Sequence, residues 1–186
     1  MRLGLVFLPP PETTAQCVHC AEGLVAGRSP RIVAGPGRLP HVSLLHVETN
    51  SDPAELWGEV GARLPRTVRL SFCTLDLLRY DTPYNAPAAP PATMAWLMVA
   101  PSTELRSAER QAMTLPFVTG GRGRVTTANG DRFVPHVTIA IWDGERDVTN
   151  APLPADLDAG SFEAELALGI IGANGVYARS LFTAER

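Results

Sequence analysis

The sequence predicts a fold of strands and helices arranged in two structurally related lobes, and two repeated features indicate it. A six-residue phrase occurs twice, as Leu39-Pro40-His41-Val42-Ser43-Leu44 and as Val134-Pro135-His136-Val137-Thr138-Ile139. The order strand, helix, arginine-bearing loop and Pro-His strand also occurs twice, at nearly equal spacing along the chain. A chain of 186 residues is the size of one domain, so we assign 1–186 to a single bilobal domain.

The first repeat begins with a short apolar run. We predict a strand at 2–8, because the run is too short for a signal-peptide core and stops at three consecutive prolines. A helix at 12–27 follows these prolines. Glycine, proline and arginine dominate 28–38, which we predict as a loop leading into the strand that carries His41.

A second helix and a long strand follow. In Asp52-Pro53-Ala54-Glu55 the aspartate suits the N-cap, the proline the first helical position and the glutamate the third. We expect this helix to run to about Leu64, where a proline follows. Apolar and polar residues then alternate, so 67–80 is predicted to form a half-buried strand or a bent pair of strands.

The second half of the chain repeats this order after a proline-rich surface connection at 81–92. We predict a strand at 93–100, a helix at 102–115 that begins near Ser102, and a glycine- and arginine-rich loop at 118–132 before the strand of His136. At the C-terminus Asn174-Gly175 indicates a type I′ turn, and the strands predicted beside it are 162–171 and 176–183.

Alternation places the histidine and the hydroxyl of each repeated phrase on one face of a strand. In the first strand this face carries His41, Ser43, Leu45 and Val47, and the opposite face, with His46, is the core side. In the second strand it carries His136, Thr138, Ala140 and Trp142, opposite a wholly apolar face. We therefore expect the two His/hydroxyl faces to point away from the core and towards each other.

Two histidines of near-neutral pKa can divide a phosphoester reaction between them. One takes a proton from the attacking water or hydroxyl, and the other protonates the leaving oxygen. The hydroxyls of Ser43 and Thr138 can donate hydrogen bonds to the nonbridging phosphate oxygens, where charge gathers in the transition state. This chemistry requires no metal and no cofactor.

The motifs His41-Val42-Ser43-Leu44 and His136-Val137-Thr138-Ile139 resemble those of the 2H phosphoesterase superfamily, which includes the 2′-5′ RNA ligase-like proteins and the cyclic nucleotide phosphodiesterases. The resemblance implies a bilobal α+β fold, with two antiparallel sheet lobes related by a pseudo-twofold axis, outer helices and a central cleft. It assigns catalysis to the histidines and phosphate binding to the hydroxyls. Family members often continue the first motif with an aromatic residue and a glycine, whereas this chain continues with Leu45-His46-Val47-Glu48.

The resemblance implies a metal-independent phosphodiesterase that hydrolyses a 2′,3′-cyclic or related cyclic phosphate, or a 2′-5′-linked nucleotide. For a 2′,3′-cyclic substrate we assign His136 as the base and His41 as the acid, although the pseudo-symmetry also allows the reverse. Two alternatives stay open. One is a phosphodiesterase that degrades an oligonucleotide second messenger, and the other is a nonenzymatic module that binds nucleotides or RNA ends.

Further residues are candidates for substrate binding. Arginines in the two loops before the motifs would attract an anionic substrate, or they are ordinary solvated side chains. Trp142 shares the predicted face of His136, where it would stack on a base or cover the end of the sheet. The arginine candidates are Arg38, Arg122, Arg124 and Arg132.

The composition of the chain excludes several classes of function. A net charge of −3 argues against a broad nucleic-acid-binding surface, and a chain without lysine has no lysine-dependent mechanism. No apolar run approaches the ~20 residues of a membrane span, so we expect a cytoplasmic monomer with a nucleotide or RNA-end substrate and no membrane partner. We expect Cys17 and Cys20 to pack in a helix rather than bind a metal, and His19 and His46 to be structural.

Overall fold

The computed structural model describes residues 1–80, 91–126, 130–144, 149–155, 157, 160–172 and 175–184. Its strands are β1 Arg2–Leu8, β2 Pro30–Val33, β3 Val42–Thr49, β4 Thr67–Tyr80, β5 Ala92–Val99, β6 Gly123–Val125, β7 His136–Asp143, β8 Thr149–Ala151, β9 Ser161–Ile171 and β10 Tyr177–Thr183. Its helices are α1 Pro11–Val25, α2 Pro53–Gly61, α3 Thr103–Met113 and α4 Pro116–Thr119, and a 3₁₀ turn covers Gly130–Arg132.

The strands form two lobes that meet along the pair β4–β9. Lobe A contains the order β9-β1-β3-β6 with β10 beside β9, and lobe B contains β2-β7-β5-β4 with β8 beside β4. All of these strand pairs are antiparallel. The long strand β4 belongs to both lobes, since 67–71 pair with β9 and the rest pairs with β5. The predicted bilobal α+β fold with antiparallel sheets is therefore confirmed.

Each lobe receives a short strand from the repeat of the other. The strand β2, which precedes the His41 motif, pairs with β7 in lobe B. The strand β6, which precedes the His136 motif, pairs with β3 in lobe A. The helices cross in the same way, because α1 packs on β7 and α3 packs on β3. The predictions of loops over all of 28–38 and 118–132 were thus wrong at these short segments, whose pairing partners lie in the other lobe.

Both histidine strands contain a β-bulge at the same place. Between β1 and β3 the register moves from Val6↔Ser43 to Leu5↔Leu45, which leaves Leu44 as the extra residue. Between β5 and β7 it moves from Trp96↔Thr138 to Ala95↔Ala140, which leaves Ile139 as the extra residue. A bulge ends strict alternation, so residues after it exchange faces. The two lobes therefore repeat the bulge as well as the motif.

The starts of two helices and the burial of two cysteines agree with the predictions from the sequence. The Asp52 carboxylate accepts the backbone N–H of Ala54 at 2.9 Å, which confirms the predicted N-cap of α2. The helix start predicted near Ser102 is confirmed too, and the Ser102 hydroxyl accepts the backbone N–H of Leu105 at 3.1 Å. Cys17 and Cys20 are buried inside α1, and burial raises the pKa of Cys17 to about 12, which agrees with the packing role predicted.

The C-terminal hairpin is confirmed in its strands, because β9 and β10 pair antiparallel from Ile171 and Tyr177. Asn174 of the predicted turn lies outside the described residues, as does most of the proline-rich connection at 81–92. In the described part of the chain, no helix is both long enough and apolar enough to cross a membrane.

Candidate active site

A cavity of about 280 Å³ is lined by residues of both lobes. It brings together the four motif residues that the sequence predicted, which are His41 and Ser43 from lobe A and His136 and Thr138 from lobe B. Arg38 also lines it, held at a turn in which Gly35 and Arg38 exchange two backbone hydrogen bonds and Gly37 has a φ of 72°. Among the described residues that line the cavity there is no carboxylate. The cavity therefore suits an anionic ligand.

The two motif histidines are held by the same contact. The Nδ1 of His41 lies 2.8 Å from the carbonyl oxygen of Leu39, and the Nδ1 of His136 lies 2.7 Å from that of Val134. A carbonyl oxygen only accepts hydrogen bonds, so each Nδ1 carries the hydrogen and each Nε2 is left for proton transfer. The proline in each phrase joins the histidine to the residue whose carbonyl it uses.

The free site favours neutral imidazoles. Burial lowers the pKa of His41 to about 4, against an opposing effect of its hydrogen bond to Leu39 and with a further lowering by the charge of His136. Burial also lowers the pKa of His136, again against the effect of its backbone hydrogen bond. A bound phosphate anion opposes this desolvation, because it favours the charged form of a neighbouring imidazole. The site can therefore supply a neutral base, and an acid once the anion is bound.

A third histidine, His46, lines the same cavity. Its Nε2 lies 3.0 Å from the Ser43 hydroxyl, and its ring centroid lies 6.4 Å from that of His41. Burial, together with the charges of His41, Arg2 and His136, lowers the pKa of His46 to about 3. Strict alternation assigned His46 to the core face, and this was wrong because the bulge at Leu44 turns it towards the cavity.

Two aromatic side chains frame the motif histidines. The Trp96 ring stacks on that of His136, with centroids 3.7 Å apart and planes inclined by 17°. The Tyr177 ring lies 5.4 Å from that of His41 and is tilted by 41°. Sequence reasoning missed Trp96, along with Arg2, which also lines the cavity. The alternation of residues along β1 and β5 could have indicated them, because these strands pair directly with the two motif strands.

Several predicted binding residues lie away from the cavity. Arg122 pairs with Glu59 on α2, and Arg124 pairs with Glu48 on the exposed side of β3. Arg132 is exposed in the 3₁₀ turn and does not line the cavity. Of the four arginines proposed from the sequence, only Arg38 reaches the site. The others lie on strand or turn positions that face solvent, which loop composition does not reveal.

Trp142 was predicted to share the face of His136, and this placement was wrong. Its side chain is only 2% exposed and packs in the main core, with the guanidinium of Arg28 5.4 Å from its ring. The bulge at Ile139 reverses the faces of β7, so that Ile141 packs beside the cavity residue Met94 and Trp142 turns towards α1.

Among the described residues, no group of three or more His, Cys, Asp or Glu side chains is arranged to hold a metal ion. The metal-free chemistry expected from the sequence remains a prediction, and an assay in the presence of a chelator tests it.

Comparison with known proteins establishes the fold. No family model matches the sequence, and no curated protein matches it. Solved structures similar to this chain include TT0787 of Thermus thermophilus, with a TM-score of 0.60 and 18% identity over 98% of this chain and 96% of that one. Usb1 of Kluyveromyces marxianus has a TM-score of 0.56 and 13% identity over 98% of this chain and 97% of that one. At these identities the likeness concerns the whole fold and not the activity.

Proposed function

We propose that this protein is a metal-independent phosphodiesterase of the 2H type, which hydrolyses a cyclic phosphate or a 2′-5′-linked nucleotide. One observation carries the proposal: a single cavity receives a tautomer-fixed histidine and a hydroxyl from each lobe. The absence of carboxylates among the described lining residues supports an anionic substrate. The likeness to TT0787 and Usb1 supports the fold, and the activity is proposed from the cavity residues alone.

The reaction needs two proton transfers at one phosphorus. One imidazole Nε2 takes a proton from water as the new P–O bond forms. The P–O bond to the leaving ribose oxygen breaks, and that oxygen takes a proton from the other imidazole. Ser43 and Thr138 donate hydrogen bonds to the nonbridging oxygens. The product of a 2′,3′-cyclic substrate is a nucleoside monophosphate, and the two histidines exchange protonation states in each turnover.

The test is hydrolysis in EDTA. Purified protein is incubated with 2′,3′-cyclic mononucleotides and, separately, with 2′-5′ oligoadenylate, and products are separated by chromatography. We expect turnover of at least one substrate, and a loss of about 10²–10⁴-fold in each of the variants His41→Ala and His136→Ala. The variant His19→Ala, which removes an exposed histidine on α1, is the matched control and should retain wild-type activity.

Three outcomes contradict the proposal. Turnover that disappears in EDTA and returns with a divalent ion would indicate metal-dependent chemistry. Near-normal activity in either cavity-histidine variant would remove the two-histidine mechanism. Tight binding of the cyclic nucleotide without hydrolysis would favour a binding module instead.

A further inference from the structure

The two lobes differ at positions that flank the motif residues, and these differences can distinguish the roles of the two histidines. Strand pairing makes Val6 of lobe A equivalent to Trp96 of lobe B, since they pair with Ser43 and Thr138. It likewise makes His46 equivalent to Ile141, since both lie two residues after their bulge. At these equivalent positions, lobe B has an aromatic ring stacked on His136 where lobe A has Val6, and lobe A has the imidazole of His46 where lobe B has Ile141.

Trp96 favours a positive charge on His136. The stacked rings place the imidazole over the face of the indole, at a centroid distance well within the range of a cation–π interaction. Tryptophan is the strongest of the aromatic partners for a cation. A proton added to His136 is therefore stabilised by a contact that does not exist for the neutral ring. Tyr177 lies farther from His41 and is tilted, so it does not offer the same stacked contact.

The wall of lobe A disfavours a positive charge on His41. The ring centroid of His46 lies 6.4 Å from that of His41, so a proton on either imidazole opposes a proton on the other. A charge on His136 further opposes protonation of His41. The titratable and charged groups that line the cavity, among the described residues, are Arg2, Arg38, His41, His46, His136 and Tyr177.

We infer that His136 is the general acid and His41 the general base, and that Trp96 is the positioning residue that separates these roles. This inference rests on the proposed function, and it reverses the assignment that the sequence suggested for a 2′,3′-cyclic substrate. Neutral His41 takes the proton of the attacking water, and protonated His136 gives its proton to the leaving ribose oxygen as the P–O bond breaks.

The test follows the pH dependence of kcat/KM on a 2′,3′-cyclic mononucleotide in EDTA. The alkaline limb of the profile reports the acid and the acidic limb reports the base. Removal of the cation–π contact in Trp96→Leu should move the alkaline limb to lower pH by roughly 0.5–1 pH unit and leave the acidic limb in place. Trp57→Leu, which removes a half-buried tryptophan outside the cavity, is the control and should move neither limb.

Each result supports or overturns the inference. A shift of the acidic limb in Trp96→Leu would make His136 the base. An unchanged profile would show that Trp96 does not affect the protonation of either histidine. Either result overturns the inference. Should Trp96→Leu fold poorly, Trp96→Phe keeps a weaker aromatic face and should give a smaller shift of the same limb. Wild-type protein without turnover would instead contradict the proposed function itself, so the two failures are distinguishable.

Discussion

Acidification should destabilise the native protein through its buried histidines, and His46 offers the sharpest measurement. Its pKa is lowered from 6.5 to about 3 in the native state. Between these values the unfolded chain binds a proton at His46 and the native chain does not. Native stability therefore falls as the pH falls through 6.5 and continues to fall towards 3. His41, with a native pKa of about 4, acts in the same direction.

The magnitude follows from linkage. A pH of about 4.5 lies two units below 6.5, the pKa of His46 in the unfolded chain. Over these two units the unfolded chain binds a proton at His46 and the native chain does not, and each unit corresponds to about 1.4 kcal/mol. We therefore expect His46 alone to reduce the free energy of unfolding by about 3 kcal/mol between pH 8 and pH 4.5. Against the roughly 5–15 kcal/mol that is typical of a native domain, such a loss is readily measured.

The assay is urea unfolding followed by tryptophan fluorescence at both pH values. In His46→Gln the amide can still hydrogen-bond with Ser43 but does not titrate, so this variant should lose about 3 kcal/mol less than the wild type on acidification. The quantity compared is the change in the free energy of unfolding between the two pH values. Any cost of the substitution that is already present at neutral pH therefore cancels. His19→Gln, at an exposed site, should reproduce the wild-type loss. Equal acid losses in His46→Gln and the wild type would refute the reasoning.

Three further predictions concern binding and packing. Inorganic phosphate should bind more tightly as the pH is lowered from 8 to 6, because the anion favours protonated histidines and burial lowers the pKa of both histidines in the free site. Calorimetry should show proton uptake on binding, and pH-independent binding would contradict the prediction. Arg38→Gln should raise KM, whereas Arg124→Gln, on the exposed side of β3, should not. Gly169→Ala should cost at least about 2 kcal/mol in urea unfolding, because its Cβ would overlap the Arg179 carbonyl and the Tyr177 ring, whereas Gly23→Ala on α1 should be neutral or stabilising.

The sequence predicted most of the fold and half of the site because both rest on local patterns. The repeated phrase identified His41, Ser43, His136 and Thr138, and all four line one cavity. The N-caps of α2 and α3 were predictable from a side chain and the backbone N–H that it accepts two or three residues later. Such signals depend on neighbours along the chain, which the sequence displays directly.

The remaining features depend on pairing between distant segments. The short strand β2 carries little periodicity of its own and is a strand because β7 of the other lobe pairs with it. The faces of His46 and Trp142 were reversed because a bulge is defined by two residues opposing one on the partner strand. Trp96 could not be connected with His136 until the register of β5 against β7 was known.

The paired bulges connect these corrections to the chemistry. Without the bulge at Ile139, alternation would bring Trp142 rather than Ile141 to the face of His136, and a large ring would enter the cavity at that point. Without the bulge at Leu44, His46 would stay in the core and Ser43 would lose its imidazole partner. The same bulge thus places an apolar side chain, Ile141, after one motif and a polar one, His46, at the equivalent position after the other. In the proposed mechanism, this difference after the bulge is what would let two similar motifs perform opposite proton transfers.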